Sequence, residues 1–494
     1  MTAPPVVTTA SGAVRGVWRE HDGAASAAFL GIPFAQPPVG PLRFAAPVPV
    51  EPWEGTRDAT THGPTVHRTD DGMTIIPEPV VPGDSTLNVD VFTPRPDASG
   101  LLPVLVYIHG GGFTSGTPAS SWYDGRAFNR DGVVTVTISY RLGFDGFGAI
   151  EGAPTNRGVR DWLAALEWVQ QNIAVFGGDP GRVTIAGQSA GGGAVLTLLS
   201  MPAAQHLFHS ALALSAAIGD VQPDRAAAAA RRLAALAGVA PTRDGFASVP
   251  EERLYALQEA AGRPEATGRL APVRALLDEG PPWGPLVDGE LLPRPTLEGL
   301  AAGIGADKPL VLGTTDDEFT GVLDGMKNTL RWLPASVAVS LVLRDRRMRR
   351  AYLAANRALR RRGTAAVLGR FVTDRVFRSV VVRAADARRD ATAPTWVYRF
   401  SWPSPASGLA THCLDVPFWF DHLDAERVAA VAGSAPPQAL ADALHGSAVA
   451  YLRDGDPGWM PWSTRPGTAR VFGGAPGTPD VVTDGYAGAR PLVS

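Results

Sequence analysis

One stretch decides the fold, Arg182-Val183-Thr184-Ile185-Ala186-Gly187-Gln188-Ser189-Ala190-Gly191-Gly192-Gly193. Its β-branched first half favours a strand, and the small residues after Gly187 are compatible with a helix. Gly187, Ser189 and Gly191 have the G-x-S-x-G spacing of a sharp strand-to-helix turn that exposes the serine hydroxyl. The N–H groups that open such a helix, including that of Ala190, stabilise a developing oxyanion. A plain glycine-rich turn is the alternative, because the chain contains 55 glycines.

A second glycine motif, His109-Gly110-Gly111-Gly112-Phe113, follows the apolar run Val104–Ile108 directly. Consecutive glycines allow backbone N–H groups to approach a bound molecule closely. A loop of this kind supplies an oxyanion hole together with the residue after a nucleophilic serine. The two motifs together therefore predict Gly111, Gly112 and Ala190 as oxyanion donors, and they disfavour the reading of either as a mere connecting turn.

The alternation of strands and helices predicts an α/β fold with a mostly parallel sheet. Val104–Ile108 and Val133–Ile138 are continuously apolar, as in central strands buried on both faces. From Val159 to Phe176 apolar residues recur every three or four positions, which predicts a helix that ends at Gly177. Further strands are expected at Leu310–Leu312 and Trp396–Tyr398.

The remaining segments fit around this sheet. The short runs Val6–Thr9, Ala13–Val17 and Ala28–Ile32 are expected to form edge strands and hairpins. The chain is predicted to form one domain over residues 1–494, with helical insertions at about 220–300 and 320–390. We detect no tandem repeat and no flexible linker.

The composition limits the partners and the cellular compartment that we expect for this protein. The 45 Lys and Arg nearly balance the 48 Asp and Glu, so no overall field favours nucleic acid or an acidic membrane. A single cysteine excludes an internal disulfide. The sequence begins without a signal-peptide pattern and contains no apolar run of about 18 residues. We expect a cytoplasmic protein, bacterial by its Ala- and Arg-rich composition, with a small-molecule partner and neither metal nor organic cofactor. Whether it is a monomer or a homodimer is left open.

An arginine-rich run extends from Arg344 to Arg362. A phosphate-binding or membrane-surface helix is one interpretation. The favoured interpretation is a solvated helix face, because exposed helix faces commonly carry charges.

A nucleophilic serine requires a base and a carboxylate, which follow it in the order serine, acid, histidine in this kind of sheet. Among the nine histidines, His412, His422 and His445 lie far enough beyond Ser189. We favour His412, because it lies in a loop after a predicted strand, whereas His445 falls within a helical pattern. Cys413 beside it is interpreted as a packing residue.

The acid is expected just after the strand at Leu310–Leu312, where Asp316, Asp317 and Glu318 follow one another. Ligands of open α/β sheets bind beyond the carboxyl ends of the strands, so any of these acids is well placed. Position alone does not choose between Asp317 and Glu318.

Taken together, the motifs resemble the type-B carboxylesterases, a family that includes the bacterial para-nitrobenzyl esterases and the animal cholinesterases. The resemblance covers nearly the whole chain. It is carried by Phe29–Phe34, Gly40–Phe44, His109–Phe113, Ser139–Gly143, Asn172–Pro180, Gly187–Gly192, Val287–Gly289, Gly313–Glu318 and His412–Phe420.

The resemblance implies an α/β-hydrolase fold and a serine carboxylic-ester hydrolase. It maps the nucleophile onto Ser189, the acid onto Glu318 and the base onto His412, and the oxyanion donors onto the three residues named above. Aromatic residues near the motifs are the candidate pocket residues: Phe113, Phe319 and Trp419. Uncharged, moderately hydrophobic esters are the expected substrates. A non-catalytic binding module, and hydrolysis of amides, thioesters or lactones, remain the alternatives.

Three positions depart from the family pattern. Gln188 stands where the family commonly has Glu, and Phe319 replaces the glycine after the acid. The block Gly83-Asp84-Ser85-Thr86 lacks the cysteine that forms a disulfide in secreted relatives. Gln188 leaves the three mapped catalytic residues untouched but removes a charge, so the pH dependence of the relatives does not carry over to this chain. Phe319 is expected to narrow the pocket, and the disulfide of secreted relatives is absent.

Overall fold

The computed structural model describes residues 3–66, 75–263, 277 and 280–493. Its strands, numbered in chain order, are β1 Val6–Thr9, β2 Gly12–Arg15, β3 Val17–His21, β4 Ala24–Pro33, β5 Thr56–Asp58, β6 Asn88–Thr93, β7 Leu102–Ile108, β8 Val134–Ile138, β9 Gly178–Gln188, β10 Ser210–Leu214, β11 Leu310–Thr315, β12 Thr395–Phe400, β13 Ala469–Phe472 and β14 Val481–Val482. Eleven of these strands form one sheet in the order β14-β13-β12-β11-β10-β9-β7-β8-β6-β4-β3. The run from β13 to β8 in that order is parallel, and the strands outside it pair antiparallel. Strands β1, β2 and β5 form a separate small sheet.

The central strands are buried on both faces. Val104, Val106 and Ile108 of β7 pack into one hydrophobic cluster, whereas Leu105 and Tyr107 pack into another. Side chains alternate between the faces of a sheet, so two clusters on one strand mean that both faces are covered. The continuous apolar run at Val104–Ile108 therefore marks a central strand, as the sequence predicted.

Helices cover the sheet. They are α1 Arg126–Arg130, α2 Gly143–Phe147, α3 Arg157–Asn172, α4 Ala190–Leu199, α5 Pro223–Ala237, α6 Arg243–Ala247, α7 Glu251–Gly262, α8 Thr296–Ala301, α9 Lys327–Leu330, α10 Ala335–Ser340, α11 Arg346–Ala355, α12 Thr364–Thr373, α13 Ser379–Ala387, α14 Val416–Trp419, α15 Val428–Ala432 and α16 Gln438–Asp454. Helix α3 continues as a 3₁₀ turn, Ile173–Phe176, and ends at Gly177 with φ +88°. The predicted end of this helix is therefore confirmed.

Two groups of helices are inserted between neighbouring parallel strands. Helices α5 to α8 lie between β10 and β11, and α9 to α13 lie between β11 and β12. A π-helical turn, Asp374–Arg378, joins α12 to α13. Short 3₁₀ segments, such as Thr320–Met326 and Arg357–Arg362, complete these insertions.

The arginine-rich run forms α11 and the 3₁₀ segment Arg357–Arg362. Its arginines are exposed apart from half-buried Arg349, which matches the interpretation as a solvated face. Across the described ranges, every helix is too short or too polar to traverse a lipid bilayer.

Candidate active site

Ser189 lies at the sharp turn between β9 and α4. Its backbone has φ +60° and ψ −122°, a conformation that non-glycine residues rarely adopt. A Cβ on Gly187 would lie 2.5 Å from the carbonyl carbon of Gly191, and a Cβ on Gly191 would lie 2.0 Å from the oxygen of Ile108. Only glycines fit at these two positions, so the G-x-S-x-G spacing is a steric requirement of the turn.

Three side chains that are far apart in sequence meet at this turn. His412 Nε2 lies 3.0 Å from Ser189 Oγ, and His412 Nδ1 is hydrogen-bonded to Glu318 Oε2. The Glu318 side chain is buried, and the backbone N–H of Thr315 donates to its Oε1 at 2.9 Å. The arrangement has the connectivity of a serine–histidine–carboxylate triad.

The two aspartates before Glu318 have other partners. Asp316 is paired with Arg399 at 2.6 Å, and Asp317 with Arg370 at 2.8 Å. Burial alone would raise the pKa of Asp316, but the adjacent guanidinium groups of Arg399 and then Arg378 hold it well below its ordinary value. Among the three acids, only Glu318 turns its carboxylate to His412.

The other two candidate histidines are also engaged elsewhere. His445 Nδ1 contacts the carbonyl of Trp419 at 2.8 Å, and its Nε2 contacts Asp131 at 3.0 Å. His422 lies beside Arg126 and Asp424. The structure thus brings His412 to the serine, and it engages the other two imidazoles, both of them buried, with partners elsewhere.

The glycine loop after β7 faces the same space as the serine. Gly111 and Gly112 have φ of +106° and +62°, and Gly112 and Ala190 border the cavity next to Ser189. Ala190 is the first residue of α4, so its N–H has no acceptor within the helix. The N–H groups of Gly111 and Gly112 donate to no other residue in the described part of the chain.

A cavity of about 410 Å³ opens beside Ser189. Phe113 and Phe319, two of the candidate pocket residues, line it. Most of the other lining side chains are apolar: Ala217, Ile218, Leu277, Pro281, Pro295, Leu297, Val376, Phe377 and Val380. The charged residues that line it are Asp220, Glu298, Arg375 and Arg383.

The prediction that Trp419 lines the pocket is wrong. Trp419 is buried on the opposite face of the sheet, with its ring 5.4 Å from that of Tyr398. Helix α14 follows the histidine loop and turns its aromatic residues into that core. Phe377 lines the cavity instead, and the centre of its ring lies 4.8 Å from that of the His412 imidazole. Phe377 comes from the inserted π-helical turn, where no local motif marks it.

Neighbouring groups set the pKa of the His412 imidazole. Burial lowers the pKa of His412, but the adjacent Cys413 and Glu318 raise it, and the net shift is upward from 6.5. Gln188 lies on the other side, with its Nε2 3.3 Å from His412 Nε2. The neutral amide puts no further negative charge beside the ring.

A fourth buried carboxyl lies next to this group. Asp415 is fully buried and accepts a hydrogen bond of 3.1 Å from the Tyr398 hydroxyl. Burial, reinforced by the charge of Glu318, raises the pKa of Asp415 to about 7. No local motif marks this residue as part of the site.

A parallel central sheet, a serine on a glycine-flanked turn and a histidine–carboxylate pair define the serine hydrolases of the α/β-hydrolase fold. The model of the carboxylesterase family matches residues 3–457, and the chain belongs to that family. It is a carboxylic-ester hydrolase.

Two curated bacterial relatives share about a third of its residues. The para-nitrobenzyl esterase of Bacillus subtilis is 32% identical over 474 residues, which cover 92% of this chain and 90% of that esterase. The phenmedipham hydrolase of Pseudarthrobacter oxydans is 32% identical, with coverages of 87% and 86%. Among solved structures, the carboxylesterase EST55 of Geobacillus stearothermophilus is similar with a TM-score of 0.81 and 31% identity, covering 99% of this chain and all of that one.

Proposed function

We propose that Ser189 is the nucleophile of this esterase, His412 its general base and Glu318 the carboxylate that orients the base. The observation that carries this proposal is the 3.0 Å contact between Ser189 Oγ and His412 Nε2, with Glu318 on the opposite ring nitrogen. Serine is a weak nucleophile until a neighbouring base accepts its proton, and this contact is within the range that proton transfer requires.

The reaction follows from these contacts. Ser189 Oγ attacks the ester carbonyl while His412 Nε2 accepts its proton, and Glu318 stabilises the imidazolium. The tetrahedral intermediate collapses to an acyl-serine, and His412 returns the proton to the departing alcohol. A water molecule, deprotonated by the same imidazole, then attacks the acyl carbonyl and releases the acid.

The oxyanion donors in this proposal are the backbone N–H groups of Gly111, Gly112 and Ala190. Support comes from the N–H groups of Gly111 and Gly112, which donate to no acceptor among the residues that the structure describes, and from the position of Gly112 and Ala190 at the cavity wall. Such donors act where negative charge develops in the transition state, and loss of one typically lowers kcat about 100- to 1,000-fold.

The apolar lining around Ser189 supports esters whose groups next to the scissile bond are uncharged and moderately hydrophobic. Phe113, Ile218, Phe319 and Val380 border the cavity there. We also propose that the whole chain forms one α/β-hydrolase unit of a bacterial, cytoplasmic enzyme. Its one cysteine, Cys413, is buried and unpaired within the described residues, as suits a reducing compartment.

Hydrolysis of para-nitrophenyl butyrate by the wild type and by Ser189→Ala tests the residue roles. We expect the variant to lose at least about 1,000-fold in kcat. A fluorophosphonate probe should label the wild type and leave Ser189→Ala unlabelled. Equal rates, or labelling that persists in the variant, would remove Ser189 from the mechanism while leaving the family membership intact.

A further inference from the structure

The cavity beside Ser189 carries an unusual pair of cations on one wall. Arg375 belongs to the π-helical turn and Arg383 to α13, eight residues further along the same continuous helix. Both line the cavity, and both are solvent-exposed, whereas the wall residue Phe377 between them is buried. The two guanidinium groups therefore lie on the solvent-facing part of the cavity, and Phe377 lies deeper, against the imidazole.

Arginines of the same helix that point away from the cavity are paired with acids. Arg370 binds Asp317 at 2.8 Å, and Arg378 binds Asp316 at 2.8 Å. By contrast, Arg375 and Arg383 form no salt bridge and donate no side-chain hydrogen bond to any residue in the described ranges. A guanidinium group is always charged and carries five donors. The donors of these two side chains are therefore available to bind an anion.

Two acids also line the cavity. Asp220 is committed to Thr296, because its carboxylate accepts bonds from the Thr296 N–H at 2.7 Å and from its hydroxyl at 2.6 Å. Glu298 is exposed on α8. Partial burial lowers the pKa of Arg383, and repulsion by Arg375 lowers it further, against the opposing attraction of Asp220. At Arg383, therefore, repulsion by Arg375 outweighs the attraction of Asp220.

We propose that Arg375 and Arg383 together bind a carboxylate carried by the substrate, at the end remote from the ester carbonyl that Ser189 attacks. The guanidinium fork matches a carboxylate in shape and charge. The substrate class is then the half-ester of a dicarboxylic acid, or another ester with an anionic tail. This inference rests on the proposed function and narrows its substrate, and it departs from the expectation of wholly uncharged esters.

Matched pairs of substrates test the inference. The mono-para-nitrophenyl esters of adipic and suberic acid have an anionic tail, and para-nitrophenyl hexanoate and octanoate are their neutral counterparts of equal chain length. The quantity to measure is the ratio of kcat/KM for the acidic ester to that for its neutral counterpart. At low ionic strength we expect Arg375→Gln/Arg383→Gln to lower this ratio about 5- to 20-fold, mainly through KM. Each single variant should lower it part of the way.

Two control variants show whether the effect follows the charge inside the cavity. Glu298→Gln removes a negative charge from the same cavity and should raise the ratio, whereas Arg346→Gln/Arg350→Gln, on the exposed face of α11, should leave it unchanged. The effect of the cavity arginines should shrink when salt is raised from about 20 to 500 mM, because exposed charges are screened.

The outcomes separate this inference from the proposed function. If the neutral esters are hydrolysed in a Ser189-dependent reaction but the ratio is the same in wild type and Arg375→Gln/Arg383→Gln, the carboxylate site is wrong and the esterase mechanism stands. A fall in the ratio that the α11 control reproduces would also overturn the site, since it would reflect overall charge. If Ser189→Ala hydrolyses both esters as fast as the wild type, the proposed function itself fails.

Discussion

The backbone N–H of Thr315 donates a hydrogen bond of 2.9 Å to Oε1 of Glu318, and the other carboxylate oxygen is bonded to the imidazole of His412. Thr315 is the last residue of β11, so the sheet itself fixes the rotation of the carboxylate. Neutralising the carboxylate while keeping its shape removes the charge that stabilises the imidazolium.

We therefore expect Glu318→Gln to lower kcat by about 1,000- to 10,000-fold, with little change in thermal stability. Steady-state hydrolysis of para-nitrophenyl butyrate gives the rate, and a thermal melt gives the stability. The exposed Glu290→Gln is the matched control. A loss below about tenfold would mean that another group orients His412.

The pH dependence should report the upward shift in the pKa of His412. The imidazole accepts a proton only when neutral, so kcat/KM should rise as pH rises through the pKa of the free enzyme. Because Cys413 and Glu318 raise that pKa, the midpoint of the acidic limb should lie above 6.5. Initial rates measured from about pH 5 to 9 give this midpoint. A midpoint below 6.5 would contradict the role of His412 as the base.

Gln188→Glu should shift the midpoint of the acidic limb of this pH profile to still higher pH. The new carboxylate would lie where the amide now stands, 3.3 Å from His412 Nε2, and a nearby negative charge favours the protonated imidazole. We expect a shift of about one pH unit. Gln188→Met, which is uncharged, is the comparison, and an equal shift in both variants would show that packing rather than charge is responsible.

Asp415 should make stability depend on pH. Its pKa is raised to about 7 in the folded state from an ordinary value of 3.8, so the folded protein retains a proton that the unfolded chain releases between these values. The free energy of unfolding then falls as pH rises through this window.

Asp415→Asn lacks this titration. The variant should therefore gain stability relative to the wild type as pH rises from 5 to 8. The difference in unfolding free energy should change by on the order of 2 kcal/mol, and the difference in Tm should change in the same direction. The exposed Asp390→Asn should show no such trend. A difference that is constant across pH would mean that Asp415 does not gain its proton on folding.

The turn at Ser189 should store backbone strain. Its φ of +60° costs a residue with a Cβ about 1–3 kcal/mol, and glycine avoids that cost. Both Ser189→Gly and Ser189→Ala should be inactive, but we expect the glycine variant to melt at the higher temperature. At an ordinary helical position, as in Ala227→Gly of α5, the same step from alanine to glycine should lower stability by about 1 kcal/mol. If glycine is the less stable at both positions, the turn is not strained.

A buried ion pair holds the loop after β8. Arg141 donates to both carboxylate oxygens of Asp161, at 2.9 and 2.7 Å, and the two side chains are 4% and 0% exposed. Asp161→Asn leaves the guanidinium charge buried without its partner, and should cost about 3–5 kcal/mol in urea unfolding. Asp58→Asn breaks the exposed pair with Arg15 and should cost less than about 1 kcal/mol.

Local sequence predicted the parts of the site that are locally determined. Gly187 and Gly191 mark the serine turn because nothing larger fits there, and that requirement appears directly as a motif. Central strand β7 was recognisable because both of its faces are buried. The choice of Glu318 over Asp317, by contrast, came from the family resemblance, since the partners that occupy the aspartates are distant in sequence.

Other features depend on tertiary partners and left no local signal. Strand β6 was not predicted, because Asp90 interrupts its apolar pattern; in the fold that carboxylate accepts the Gly31 N–H at 2.7 Å and contacts His62. Strand β9 begins at Gly178, well ahead of the β-branched run that starts at Val183. The cavity wall around Phe377 comes from an inserted helix, so its place next to His412 is invisible in the sequence.

The π-helical turn at Asp374–Arg378 interrupts an otherwise regular helix, and so it contains more chain than an α-helical path of the same rise would use. Deleting a single residue there would restore α-helical geometry and leave every strand end untouched. The wall that borders the cavity, including the Phe377 ring beside His412, would then change its register while the strand ends before Ser189 and Glu318 keep their places, so the length of this turn, and not only its side chains, sets the shape of the cavity.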